Sequence, residues 1–275
     1  MNADSLAEST HTSRTPIRIL VAVTYLLMIA ANGAANALPL NGRRTGDVSN
    51  TYPNLFTPAG VTFSIWGLIY LLLGAHVLYQ LGLFANRPDT PADTALLNRV
   101  GVLFSLSSLA NTAWIFAWHY GLIPLSAVLL VTIFVLLALI VVTIRRAHPT
   151  GRQRWLVGLP FSVYFGWSTV ALVANITVLL VYWKWNGWGI AESTWAVIIV
   201  LVTAVIGTVT MLRNRDVAYG LVLIWAFAGI LIRQISSAGL AGKYPAIIAA
   251  VALALTVCLI GEVSIVRGRR LSKAD

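Results

Sequence analysis

The sequence predicts an all-α polytopic membrane protein with about eight transmembrane helices. Three observations point there. Of 275 residues, 58 % are hydrophobic and only 10 % are charged, too little polarity to cover a soluble globule. With a mean hydropathy of +0.82, the apolar residues gather into eight runs, each near the ~20 residues a bilayer-crossing helix needs. The basic residues, which set a formal net charge of +10, fall between those runs with a strong bias toward alternate loops. In a soluble protein that charge would suggest nucleic-acid binding. Here it reads as basic loops held at an anionic membrane face, with the lipid bilayer as partner and no nucleic acid. The lone Cys258 closes no internal bridge, and the low charge density excludes a disordered chain.

The first run, near residues 17 to 40, follows Arg14 and Arg18. With its apolar stretch Ile19 to Ala30 and Ala35-Asn36-Ala37, it also fits a cleavable signal peptide. Uncleaved, the small residues Ala31, Gly33, Ala34, Ala35 and Ala37 would let another helix approach closely. The second run, near 58 to 84, holds His76, a lone imidazole that reads as a hydrogen-bonding partner for a neighbouring helix rather than a metal ligand. The third and fourth, near 95 to 119 and 121 to 145, are separated only by His119-Tyr120-Gly121-Leu122 ahead of Pro124, so they form an antiparallel hairpin. The fifth lies near 155 to 182, and its glycosylation-like Asn175-Ile176-Thr177 is meaningless inside a span.

The sixth and seventh runs lie near 191 to 213 and 217 to 239. Arg233 sits about six residues from the outer end of the seventh, roughly 9 Å at 1.5 Å per residue, and can snorkel to the headgroups. The eighth run, near 244 to 266, carries Glu262 toward its cytoplasmic end. On the order of 15 Å along the membrane normal separates the two charges, so they are not expected to pair.

Eight spans put both termini on one side. Fourteen basic residues share that side: Arg14, Arg18, Arg87, Arg99, Arg145, Arg146, Arg152, Arg154, Arg213, Arg215, Arg267, Arg269, Arg270 and Lys273. Only Arg43, Arg44, Lys184 and Lys243 fall opposite, so both termini are expected in the cytoplasm, most simply at a bacterial inner or plasma membrane.

No HExxH, CxxC or phosphate-binding loop occurs, and no paired intramembrane carboxylates suggest a proton relay, so neither an enzyme nor a cofactor is expected. What the sequence does show is a set of aromatic and amide stripes. Phe63, Trp66 and Tyr70 recur at helical spacing in the second span, and Asn111, Trp114 and Trp118 in the third. Trp167, Ala171 and Asn175 follow in the fifth. Trp183, Trp185 and Trp188 belong to an interfacial belt, but Asn111 and Asn175 lie turns away from one. A buried amide must find a partner in the protein or in a ligand, so the stripes read either as helix-packing glue or as an aromatic-walled pocket.

At these residues the chain resembles the tryptophan-rich sensory protein or translocator protein family (TspO/MBR). Thr57-Pro58-Ala59-Gly60-Val61-Thr62-Phe63-Ser64-Ile65-Trp66-Gly67-Leu68-Ile69-Tyr70 is similar to the family's loop and second helix, and Asn111-Thr112-Ala113-Trp114 to its third-helix N-x-x-W. The stretch from Trp167 to Asn175 is similar to its fifth-helix W-x-x-x-A-x-x-x-N. The resemblance covers roughly residues 17 to 186. It implies a five-helix bundle whose first loop, about Asn41 to Thr57, lids a pocket for porphyrins, sterols or synthetic aromatic ligands. Trp66, Tyr70, Asn111, Trp114, Trp167, Ala171 and Asn175 would then line that pocket, between the second, third and fifth helices. Three departures bear on ligand choice: Ala59 replaces a proline, Phe63 and Trp66 are one residue closer than in the family, and the lid lacks tryptophan. They argue against porphyrin specificity and against tryptophan-assisted porphyrin chemistry.

The domain reading is therefore a cytoplasmic tail over 1–16, a TspO/MBR-like bundle over 17–186, three additional helices over 187–266 and a basic tail over 267–275. The added helices would either shield the bundle where other members self-associate or form part of a transport path, which leaves a second copy of the chain as a possible partner. The leading expectation is a membrane binding protein or sensor for a hydrophobic, porphyrin- or sterol-like small molecule. The alternative is a secondary transporter or permease, favoured by eight spans and by Arg233, although no internal repeat supports it.

Overall fold

In the computed structural model, residues 14–38, 40–84, 89–149 and 151–271 are described, so Arg87 and Lys273 of the charge count and most of the N-terminal tail lie outside the described residues. Eight helices are long and apolar enough to cross a membrane. They are α1 (Thr15–Ala37), α2 (Ile65–Gln80), α3 (Pro91–His119), α4 (Ile123–Arg146), α5 (Leu159–Tyr182), α6 (Glu192–Asn214), α7 (Val217–Ile235) and α8 (Pro245–Leu271). The eight predicted spans are all present.

Their ends differ from the hydropathy pattern where capping chemistry intervenes. α3 begins before its apolar run because Thr90 and Asp93 form a capping box around Pro91. Conversely, α7 stops at Ile235, where the chain folds back and the amides of Leu240 and Gly242 bond the carbonyls of Arg233 and Gln234. Arg233 thus lies in the last turn of α7, closer to the end than its sequence position suggested. The α3–α4 hairpin turns at Gly121, whose φ of +70° is the left-handed conformation that glycine adopts without strain.

The first five helices form a ring. α1 packs closely on α3, α3 on α4 and α4 on α5, while α2 closes the circle against α1 and α5. Small residues permit these approaches: Gly101 of α3 faces Ile17 and Val21, and Gly74 of α2 lies under the Tyr25 hydroxyl. That hydroxyl donates to the Tyr70 carbonyl at 2.8 Å. The last three helices pack mainly through α7, which lies along α5 where Gly166 meets Val222.

Contacts at the two ends fix the alternation of the helices. At one end Arg14 pairs with Asp89 and donates to Gln80, Arg145 reaches the Arg213 carbonyl and Arg269 the Arg215 carbonyl. These contacts join the start of α1 and the ends of α2, α4, α6 and α8. At the other end Asn41 bonds the His119 carbonyl, Tyr52 meets Tyr182, and Gln234 bonds the Leu55 carbonyl. The ends of α1 and α8 that lead to the termini therefore share one end of the bundle.

His76 is fully buried, bonds the Leu156 carbonyl at 2.9 Å and packs edge-on to Phe104 and Phe161, the helix-joining role expected for it. Glu262 is 7 % exposed, more buried than a helix-end position implied. The reason is Gly220, whose missing side chain lets the Glu262 carboxylate lie against the α7 backbone.

Candidate functional site

The interior of the ring is filled with aromatic rings from α2, α3 and α5. Trp66 is the hub. It stacks on Tyr70 with centroids 5.5 Å apart and on Trp114 at 6.3 Å, and meets Tyr164 and Trp167 edge-on at 6.0 and 6.2 Å. The cluster extends from Trp114 to Trp118 at 5.9 Å and from Trp167 to Phe63, also at 5.9 Å. Offset and edge-on pairs of this kind stabilise beyond their buried area, by roughly 0.5–1.5 kcal/mol each. Trp114 and Trp167 are buried, whereas Trp66, Tyr70 and Phe63 are half-buried. Phe63 itself stands in a tight turn, Gly60–Ser64, that leads into α2.

Of the seven residues predicted to line a pocket, Trp66, Tyr70, Trp114 and Trp167 come into direct ring contact. Asn111 joins them through Tyr164: its Nδ2 donates to the Tyr164 hydroxyl at 3.0 Å, and its Oδ1 accepts from Asn32 at 2.8 Å. Asn175 turns instead toward α4, where it exchanges long bonds of 3.3 and 3.4 Å with Ser126. Ala171 is half-buried and packs against the core. Both amides thus have protein partners. The two indoles that flank Trp66 do not. Trp114 Nε1 and Trp167 Nε1 are buried with no hydrogen-bond acceptor among the described residues.

Tyr164 and Asn32 were missed from sequence, although each left a signal. Tyr164 precedes Trp167 by three residues and extends the fifth-helix stripe, and Asn32 is the most deeply set amide of the first span.

The loop between α1 and α2 is tied down at both ends. Its short helix, Thr45–Asn50, is held to the end of α3: Trp118 Nε1 donates to the Thr45 carbonyl at 3.1 Å, and the Thr45 hydroxyl meets His119 Nε2 at 3.0 Å. Its far end is organised by Asn54, whose Oδ1 accepts from the amides of Phe56 and Thr57. α7 then holds it. Ala59 N donates to the Gly229 carbonyl at 3.0 Å, Trp225 Nε1 to the Thr62 carbonyl at 2.9 Å and Gln234 Nε2 to the Leu55 carbonyl at 2.8 Å. A side chain on Gly229 would collide with Thr62.

Beside this loop lies a half-open cavity of about 410 Å³, walled by Asn54 to Phe56, by Thr177, Leu180 and Val181 at the end of α5, and by Lys184, Trp185 and Trp195. None of the seven predicted residues lines it. Trp195 is fixed there by donating to the Gly187 carbonyl at 2.9 Å.

The family model for TSPO-like proteins matches residues 18–263, and the chain belongs to that family. The match continues past the five spans that carry the motif resemblance and through most of α8. No curated protein and no solved structure matches the chain. With eight apolar helices and this family membership, the protein is an integral membrane protein.

Proposed function

We propose that this chain is a membrane binding protein or sensor for a hydrophobic, flat, porphyrin- or sterol-like molecule held against the aromatic cluster between α2, α3 and α5. The observation that carries the reading is the pair of buried indole N–H groups, Trp114 Nε1 and Trp167 Nε1, on either side of half-buried Trp66. A buried donor without an acceptor costs about 1–3 kcal/mol, which a ligand carbonyl, hydroxyl or carboxylate would recover. α2 is suited to admit one. It is tied to α3 at its far end by the Gln80 Nε2 bond to the Leu97 carbonyl and by the His76–Phe104 edge contact, while near its start it meets α3 through the Trp66–Trp114 stack, so a planar ring system would enter at that start by separating the two indoles. We assign the site to a bacterial plasma membrane with both termini cytoplasmic, on the fourteen-to-four distribution of basic residues.

Titration of the detergent-solubilised protein with protoporphyrin, and separately with a fluorescent sterol, tests this through quenching of tryptophan emission. One of the two titrations should saturate, and Trp167→Ala or Trp66→Ala should weaken it by about tenfold or more, the equivalent of one lost contact near 1.4 kcal/mol. Quenching that is linear with both probes, or indifferent to both variants, overturns the reading.

A transport reading draws on a different observation, the grip of α7 on the loop over the cluster. Counterflow uptake in proteoliposomes separates the two, since a binder retains ligand stoichiometrically without accumulating it.

A further inference from the structure

The end of the bundle that carries the termini has two basic corners, and they differ. Around the starts of α1 and α3 the basic side chains are faced by a carboxylate: Arg14 pairs with Asp89, and Arg18 lies 3.9 Å from the same group. Between the ends of α4 and α6 they are not. There an open concavity of about 620 Å³ is lined by Arg145, Arg146, His148, Arg154, Asn214 and the apolar Val142, with no carboxylate among the described lining residues.

Ordinary helix chemistry accounts for only part of this cluster. Arg145 and Arg146 close the last turn of α4, where the helix dipole favours cations, and Arg145 also donates to the Arg213 carbonyl at 3.3 Å. Arg154 has no such reason. It sits one turn into the helical span that starts at Gly151, the end of a helix where a cation is disfavoured and an anion favoured. Neither Arg146 nor Arg154 has a hydrogen-bond or ion-pair partner among the described residues. The neighbouring Trp155 is 66 % exposed, as an indole at headgroup depth would be, and Val142 lies one turn further into the membrane than Arg146.

We infer that this concavity binds a phosphate-bearing anion, and that its geometry suits the headgroup of an anionic phospholipid of the same leaflet. Guanidinium groups from two helices would clamp the phosphate oxygens, the start of the α5 span would face them with its positive end, and the acyl chain would run past Val142. The alternative source of the same chemistry is a free phosphate.

Native mass spectrometry of the full chain, titrated with phosphatidylglycerol and with phosphatidylcholine of identical acyl chains, tests the site. Phosphatidylglycerol should bind more tightly, and Arg146→Gln/Arg154→Gln should reduce that preference by up to about thirtyfold, the effect of two basic residues at an anionic headgroup. The matched-charge variant Arg99→Gln/Arg267→Gln should leave it unchanged. Millimolar inorganic phosphate that displaces the lipid supports the site with free phosphate as its ligand, whereas lipid retained under phosphate supports the headgroup. Equal losses in the two double variants, or no loss in the first, overturn the proposal.

Discussion

The five helices of the ring and the three that follow both use close approaches at glycine, but only the ring adds an aromatic and amide cluster at its centre. In the ring, side chains of large area and mixed polarity meet at the centre: four indoles, two tyrosines and an amide chain from Asn32 through Asn111 to Tyr164. In the added unit the helices meet through glycine: Gly207 under Leu223, Gly220 under Met211 and Glu262, Gly261 under Met211. Close backbone approach gives rigidity through many small dispersion contacts, whereas the ring stacks around Trp66 leave the Trp114 and Trp167 indole donors unpaired among the described residues. The difference teaches that the ring gathers its aromatic and amide side chains at one place, whereas the last three helices reach back through α7 to the loop ahead of α2.

Breaking the aromatic plan should have the largest effect. Trp167→Ala removes a ring that is 2 % exposed and touches both Trp66 and Phe63. It should lower stability by about 3 kcal/mol or more, read as a drop in unfolding temperature in micelles. If its cost is no greater than that of truncating the exposed Trp188, the cluster is not the centre of the ring.

The glycine plan gives the next test. Gly229→Val would drive a side chain into Thr62 and should cost about 1–3 kcal/mol while detaching the loop. Hydrogen exchange should then rise across residues 52 to 62 but not in α4. Gln234→Leu, which deletes only the bond to Leu55, should produce the same exchange pattern with a stability loss of about 0.6 kcal/mol. Unchanged exchange in both variants would detach the added unit from the loop.

The amide chain sharpens the comparison from the polar side. A double-mutant cycle between Asn32→Leu and Asn111→Leu should show a coupling of about 0.6–1.7 kcal/mol, the range for hydrogen bonds between membrane helices. The smallest effect belongs to Ser126→Ala. Its bonds to Asn175 are long, so a loss above about 0.5 kcal/mol would mean that Asn175 matters more to packing than its geometry indicates.

Much of this fold was legible in the residues alone, because what decides a membrane span is local. Twenty apolar residues in a row or a Gly121 turn act through neighbours in the chain, and so does the spacing that lines up Trp66 with Tyr70. The aromatic half of the candidate site followed from that spacing. The amide half did not: Asn111 opens its stripe and Asn175 closes its own, and nothing in that spacing says that one is bound within the ring while the other faces α4. Which partner an amide finds depends on the rotation of helices chosen by the whole bundle. Glu262 makes the same point, since its burial depends on a glycine forty-two positions away.

The sequence by itself determined the number of spans, their alternation and the faces on which rings and amides stand, because hydropathy and helical period are properties of short stretches. Tertiary structure alone decided that Asn32 completes Asn111, that two indole donors are left without acceptors, and that α7 reaches back to hold Leu55, Ala59 and Thr62. Those pairings join residues up to 179 positions apart. They are fixed by which helices can approach each other closely, a condition that no stretch of the chain carries on its own.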